Sequence, residues 1–202
     1  MNLSRRQLLQ WRAGAAAASI LGTKWARGVA AAATAKTPIG LELWSVRQQC
    51  EKELPAVLQA VAQMGYQGVE LAHSYYGHDA AAWRKLLDDN GLKSVGMHMG
   101  LPALQGDAFD KTVEIHKLLG TPYLIVASLP KKSLASVAAI IETGKAFNEL
   151  AARLKPHGMK IGYHCHGGDF EQVEGKTAWE RFGENTEADV LLQLDIGNCL
   201  GG

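Results

Sequence analysis

No aspartate or glutamate occurs before Glu42, and that absence sets the first 35 residues apart from the rest. Arg5, Arg6, Arg12, Lys24 and Arg27 give this stretch a purely basic charge, and an alanine-rich apolar run follows the arginine pair from Ala13 to Gly22. Ala33-Thr34-Ala35 then has the small-x-small form of a cleavage site. A basic start, an apolar middle and a small-residue exit read as an export signal. The adjacent Arg5 and Arg6 make it look like a twin-arginine signal, with a periplasmic destination. A buried amphipathic helix is the alternative, and the missing acids speak against it. The apolar run is shorter than the roughly 20 residues that cross a bilayer, so no membrane span is expected. The expected division is therefore 1–35 signal and 36–202 folded domain.

Other scarcities narrow the function. Three cysteines (Cys50, Cys165, Cys199) are too few for a disulfide scaffold, and the odd count leaves at least one thiol unpaired within the chain. Cys165 and Cys199 end neighbouring strands and are the pair that could join. No run of basic residues stands out, and without residues 1–35 the formal charge moves from +1 to about −4, so no nucleic-acid partner is expected. That balance favours solubility. It also disfavours a metal-dependent nuclease, which would want a basic groove. No Gly-rich dinucleotide fingerprint follows the first strand, where "WSVRQQ" stands instead.

What is present is a repeat. Apolar strands ("IGLELWSV", "YQGVELA", "KSVGMHMG", "PYLIVAS", "KIGYHCH", "DVLLQLDIG") alternate with helical patterns ("ELPAVLQAVAQMG", "DAAAWRKLLDDNG", "FDKTVEIHKLLG", and Ser133 to Lys155), most of them stopped by a glycine. Such alternation means parallel strands joined by crossover helices. An open doubly wound sheet and an eight-stranded barrel both satisfy it, and the strand phases favour the barrel. Val69 and Leu71, Val95, Met97 and Met99, Ile161 and Tyr163, and Leu192 and Leu194 form a bulky phase for the helices. The other phase is small and then polar at the C-terminal end: Glu42, Glu70, His98, His164, His166 and Asp195. Doubly covered open sheets tend to be apolar on both faces, whereas a barrel places polar side chains at its C-terminal mouth. Six units are visible and eight would need roughly 80 more residues. The expected fold class is α/β, a (β/α)8 TIM barrel truncated after about six β/α units.

"GLELWSVR", "MGYQGVEL", "VGMHMG", "IGYHCHGGDFE" and "LLQLDIGN" resemble strand segments of the xylose isomerase-like TIM barrels, the sugar phosphate isomerases/epimerases with hydroxypyruvate isomerase among their relatives. The resemblance runs from Ile39 to Cys199. It implies a divalent metal at the mouth, manganese foremost, with magnesium, zinc and cobalt as alternatives. It also implies that Asp195 in "LDIGN" is a ligand and that Asp169, with His166 beside it, matches the fifth-strand ligand region. The seventh- and eighth-strand ligands have no counterpart here.

The residues themselves place His164 and His166 on one strand face, about 7 Å apart, where each suits a metal, a substrate or a structural hydrogen bond. The expected roles are Glu70 and His98 catalytic, Trp44 and His164 substrate-binding, and Asp195, Asp169 and His166 metal-binding. For each a plain alternative stands: a loop-anchoring aspartate, a backbone-bonded glutamate, a core histidine or tryptophan. The function that follows is a metal-dependent sugar isomerase or epimerase acting on a small carbohydrate by proton abstraction next to a carbonyl. A 3-keto-glycoside eliminase and a non-catalytic sugar-binding relic are the alternatives. The sequence leaves room for a homo-oligomer.

Overall fold

The structure, a computed structural model, describes residues 37–200. The signal expected over residues 1–35 lies outside them. The chain forms β1 (Gly40–Glu42), α1 (Arg47–Gln63), β2 (Gly68–Ala72), α2 (Ala80–Asp89), β3 (Lys93–Met99), α3 (Ala108–Leu119), β4 (Tyr123–Val126), α4 (Val137–Leu154) and β5 (Lys160–His164). A small hairpin follows, β6 (Gln172–Val173) with β7 (Lys176–Thr177), then α5 (Ala178–Glu184), β8 (Leu191–Gln193) and α6 (Ile196–Leu200).

Local chemistry explains the boundaries. The Asp79 carboxylate accepts from the Ala82 N–H at 2.8 Å and starts α2, and Ser136 does the same for α4 through Ala139. Gly120 closes α3 in the left-handed conformation that glycine adopts freely. Thr177 and Glu180 form a reciprocal capping box at the start of α5, a helix that sequence reading did not foresee. Helix α1 begins six residues earlier than "ELPAVLQ" suggests and kinks at Glu53, two residues before Pro55. Several strands are shorter than expected: "LWSV" leaves β1 as a 3-10 turn, β5 stops at His164 before Cys165 and His166, and Ile196 and Gly197 leave β8 for α6. Among the described residues no helix is long and apolar enough to cross a membrane.

Six strands make one parallel sheet in the order β1-β2-β3-β4-β5-β8. Its curvature follows from one contact. Strands β2 and β8 are four ladder steps apart, which in a flat sheet is about 19 Å. Yet the Gln193 amide on β8 lies 3.0 Å from both carboxylate oxygens of Glu70 on β2. The sheet is therefore rolled into a partial barrel, as the strand phases predict.

The outer phase carries the core. Val69, Leu71, Met97, Leu124, Val126, Ile161 and Tyr163 are buried against Leu58, Trp83, Leu87, Phe147 and Phe182 of the helices. Each such side chain contributes about 1.5–3 kcal/mol when fully buried. The inner phase has two tiers. The lower is a floor of glycines and aliphatic side chains: Val95 fills the space beside Gly40 and Gly68, and Ile125 and Leu191 fill the space beside Gly162. Val95 was expected with the helix-facing methionines. A register shift between β2 and β3 turns it inward.

Gly68 has no room for a side chain: a Cβ there would stand 2.5 Å from Val95 Cγ1 and 2.8 Å from the Lys93 carbonyl. Gly68→Ala is expected to cost about 1–3 kcal/mol, read as a lower urea midpoint. Adding Val95→Ala should recover only part of it, because the carbonyl stays.

Candidate active site

The upper tier sits at the C-terminal strand ends. Register places Glu42 of β1 opposite Glu70 of β2, and His164 of β5 opposite Gln193 of β8. His98 comes from β3, two residues beyond the level of Glu70. With Trp44, His73, Ser128, His166, Asp195 and Asn198 they line a cleft of about 580 Å³.

Gln193 organises the tier. Its amide nitrogen donates to Glu70, so its oxygen is left to accept, from His98 Nε2 at 2.6 Å and His164 Nδ1 at 3.1 Å. Burial holds both imidazoles below their ordinary pKa, and for His164 the neighbouring His98 adds to the effect. Neutral rings have one N–H each. The shared acceptor therefore assigns the proton to Nε2 of His98 and to Nδ1 of His164. Each ring's other nitrogen is a lone pair.

His98 Nδ1 lies 3.9 Å from Glu42 Oε1, a buried oxygen with no hydrogen-bond partner. Burial pushes the Glu42 carboxyl up to about 7, with the charges of Glu70 and Asp195 adding to it. Burial also raises Glu70, and its bonds from Gln193 oppose this. The cleft thus holds an acid with one unpartnered oxygen, the backbone N–H groups of Trp44 and Ser45 partly offsetting its burial, that can exchange a proton near neutrality.

The lone pair of His164 Nε2 accepts from the Asn198 side-chain amide at 3.4 Å and lies 3.7 Å from Asp195 Oδ2. The other Asp195 oxygen accepts from the Asn198 N–H at 3.0 Å, and this bond chiefly holds its pKa below the ordinary value. Asp195 is therefore both the loop-anchoring aspartate and a free donor oxygen. An ionised carboxylate beside a neutral imidazole is a donor pair suited to a divalent ion such as manganese or zinc. The pair fits such an ion, but among the described residues no three His, Cys, Asp or Glu side chains gather tightly enough to hold one.

The sequence profile of the xylose isomerase-like TIM barrel matches residues 58–202. The chain belongs to that family. Within it, the chain is similar to a sugar phosphate isomerase/epimerase from Parabacteroides distasonis, at 25% identity and a TM-score of 0.74, over 84% of this chain and 69% of that one. The fold is shared with an AP endonuclease of family 2 from Brucella melitensis, at 19% identity and a TM-score of 0.54, over 79% and 69% of the two chains. A D-psicose 3-epimerase shares it at 15% identity and a TM-score of 0.52, where this chain spans 63% of the other's length. A comparison with curated protein sequences gave no match.

In this member of the xylose isomerase-like barrels, six of the seven residues singled out from sequence line the cleft: Trp44, Glu70, His98, His164, His166 and Asp195. Asp169 does not. Its buried carboxylate accepts from the Tyr163 hydroxyl at 2.9 Å and the His166 N–H at 2.8 Å, and it lines a neighbouring cavity. Trp44 is half exposed, with the Arg47 guanidinium 4.3 Å from the centre of its ring. Cys165 and Cys199 are not joined; all three cysteines are free, and the Cys165 sulphur accepts from the Asp195 N–H at 3.1 Å.

Sequence reasoning gave no site role to Gln193, Glu42, Asn198 or His73. Gln193 and Glu42 carried a usable signal, being polar on the inner phase at strand ends. His73, in the left-handed region at φ 57°, donates its backbone N–H to the His98 carbonyl at 2.9 Å and packs its ring between Trp44 and His98. No local pattern announces that.

Proposed function

We propose that this chain is part of a sugar isomerase or epimerase that moves a proton at a carbon next to a carbonyl. The observation that carries the reading is the Glu42 carboxyl, with one buried oxygen unpartnered and its pKa near neutrality, on a cleft otherwise furnished with imidazoles, an amide and carboxylates. A carbohydrate presents hydroxyls that such groups can hold, and a general acid–base works best when its pKa lies near the operating pH. Similarity to a protein described as a sugar phosphate isomerase/epimerase supports the same class.

In this reading Glu42 takes and returns the proton, and neutral His98 beside it accepts or passes it on. Glu70 acts through Gln193, fixing which nitrogen of each imidazole carries hydrogen. Trp44 offers the exposed part of its ring to a sugar face, and Asn198 holds a hydroxyl. A divalent cation, manganese foremost, would be held by Asp195 and His164 with His166 beside them. Such a cation would polarise the sugar carbonyl and acidify the neighbouring C–H. The twin-arginine signal and periplasmic location belong to the same proposal, since that route carries folded, metal-loaded proteins.

The test is solvent-deuterium uptake into a panel of ketoses and aldoses, with manganese and with chelator. Deuterium at the carbon next to the carbonyl, lost with chelator, is the expected result. No uptake across the panel would overturn the reading.

A further inference from the structure

Strand alternation keeps Glu70 and Ala72 on the inner phase of β2, so the next residue, His73, would face the helices. Instead it lines the cleft. The turn that brings it round is tight. The Ser74 N–H donates to the Ala72 carbonyl at 2.7 Å across His73, whose φ is 57°. A three-residue turn with a positive φ at its centre is the rare, strained form. Glycine or asparagine makes such a turn at less cost than histidine. The chain thus carries a ring at a point where the backbone alone would turn more easily without one.

The strained residue is held from several sides. Its own N–H donates to the His98 carbonyl at 2.9 Å. Two residues on, the Tyr75 hydroxyl lies 3.0 Å from His116 Nε2 of α3, and the Tyr75 carbonyl accepts from the Trp83 indole of α2 at 2.8 Å. Strained residues that their surroundings over-determine in this way cluster at functional sites.

The turn gives His73 a place in a row of rings. Centroids run from Trp44 through His73, His98 and His164 to His166 at 5.8, 6.4, 4.6 and 5.1 Å. Trp44 stands half exposed on the 3-10 turn after β1. The Arg47 guanidinium lies over its ring and does not line the cleft. The His73 ring meets it at 69° from the cleft side.

We infer that His73 is a positioning residue, whose ring holds the Trp44 ring in place at the mouth to stack on a sugar. The last step rests on the sugar reading above.

His73→Gly and His73→Asn test this, since both residues take the turn readily and neither has a ring. Both variants should melt no lower than the parent. The Trp44 indole N–H signal, assigned by its loss in Trp44→Ala, should shift or broaden in both. Titration with D-fructose, followed by protein chemical shifts, should show affinity about threefold to tenfold weaker, the worth of one aromatic pair. In the Trp44→Ala background the same changes at His73 should cost nothing further, because the ring acts through Trp44.

An unmoved indole signal, losses that add in the double variants, or melting several degrees lower in both single variants would overturn the inference. The last result would make the ring a prop for the fold. An indole signal that moves in both variants while D-fructose binds none of the proteins would sink only the sugar reading. Affinity that falls with Trp44→Ala and is untouched by either His73 variant would sink only the role of His73.

Discussion

Replacing Glu42 with glutamine should make the protein more stable at about pH 8 and nearly abolish proton exchange. The folded chain binds the Glu42 proton up to about pH 7, whereas the ordinary carboxyl lets it go near 4.5. Between these values the folded state holds more protons than the unfolded one, so this group's contribution to stability is full below 4.5 and is lost as pH rises through 7. Glutamine keeps the shape and cannot ionise. The Glu42 side chain is 31% exposed, so solvent screening reduces the effect to about 1–2 kcal/mol. That corresponds to about 2–6 °C in the melting temperature of a domain this size. Thermal melts of both proteins should coincide at about pH 4.5 and diverge toward pH 8, the variant melting higher. Exchange should fall by about 10²–10⁴. A variant with normal exchange would remove Glu42 from the chemistry even if the melts behaved as described.

Gln193→Leu should be the most damaging single change in the upper tier. It removes both donors to Glu70, whose side chain is only 14% exposed, and the acceptor shared by His98 and His164. A buried carboxylate left without its partners costs about 3–4 kcal/mol, equivalent to about 6–12 °C in melting temperature. Nitrogen-15 NMR of the imidazoles gives a second reading. In the parent, His98 should carry its proton on Nε2 and His164 on Nδ1, and in the variant that fixed assignment should dissolve. A melting temperature unchanged within a degree or two, or unchanged tautomers, would mean that Gln193 does not organise the site.

The fold was legible because parallel barrels write their phases into sequence. The bulky phase and the polar strand ends of β2, β3 and β5 could be read directly, and they are where the structure puts them. Val95 escaped because a bulge breaks the period of two, and nothing local in "KSVGMHMG" marks where. The β6–β7 hairpin and α5 escaped because their signals, a turn at Glu174-Gly175 and the Thr177–Glu180 capping box, are short and lie inside what reads as one loop.

The site was legible as a set of positions and not as a set of partners. That Glu70, His98, His164 and Asp195 share a mouth follows from phase. That Gln193 ties Glu70 on β2 to His98 on β3 and His164 on β5 follows only from curvature, which no single strand encodes. Asp169 shows the reverse case: its place in "YHCHGGDF" resembles a ligand's, but the Tyr163 hydroxyl lies within hydrogen-bond reach and claims it.

The floor of Val95, Ile125 and Leu191, fitted against Gly40, Gly68 and Gly162, also sets depth. These side chains fill the space beneath the upper tier, so a molecule bound in the cleft rests on an aliphatic base and meets the polar groups only at the C-terminal strand ends.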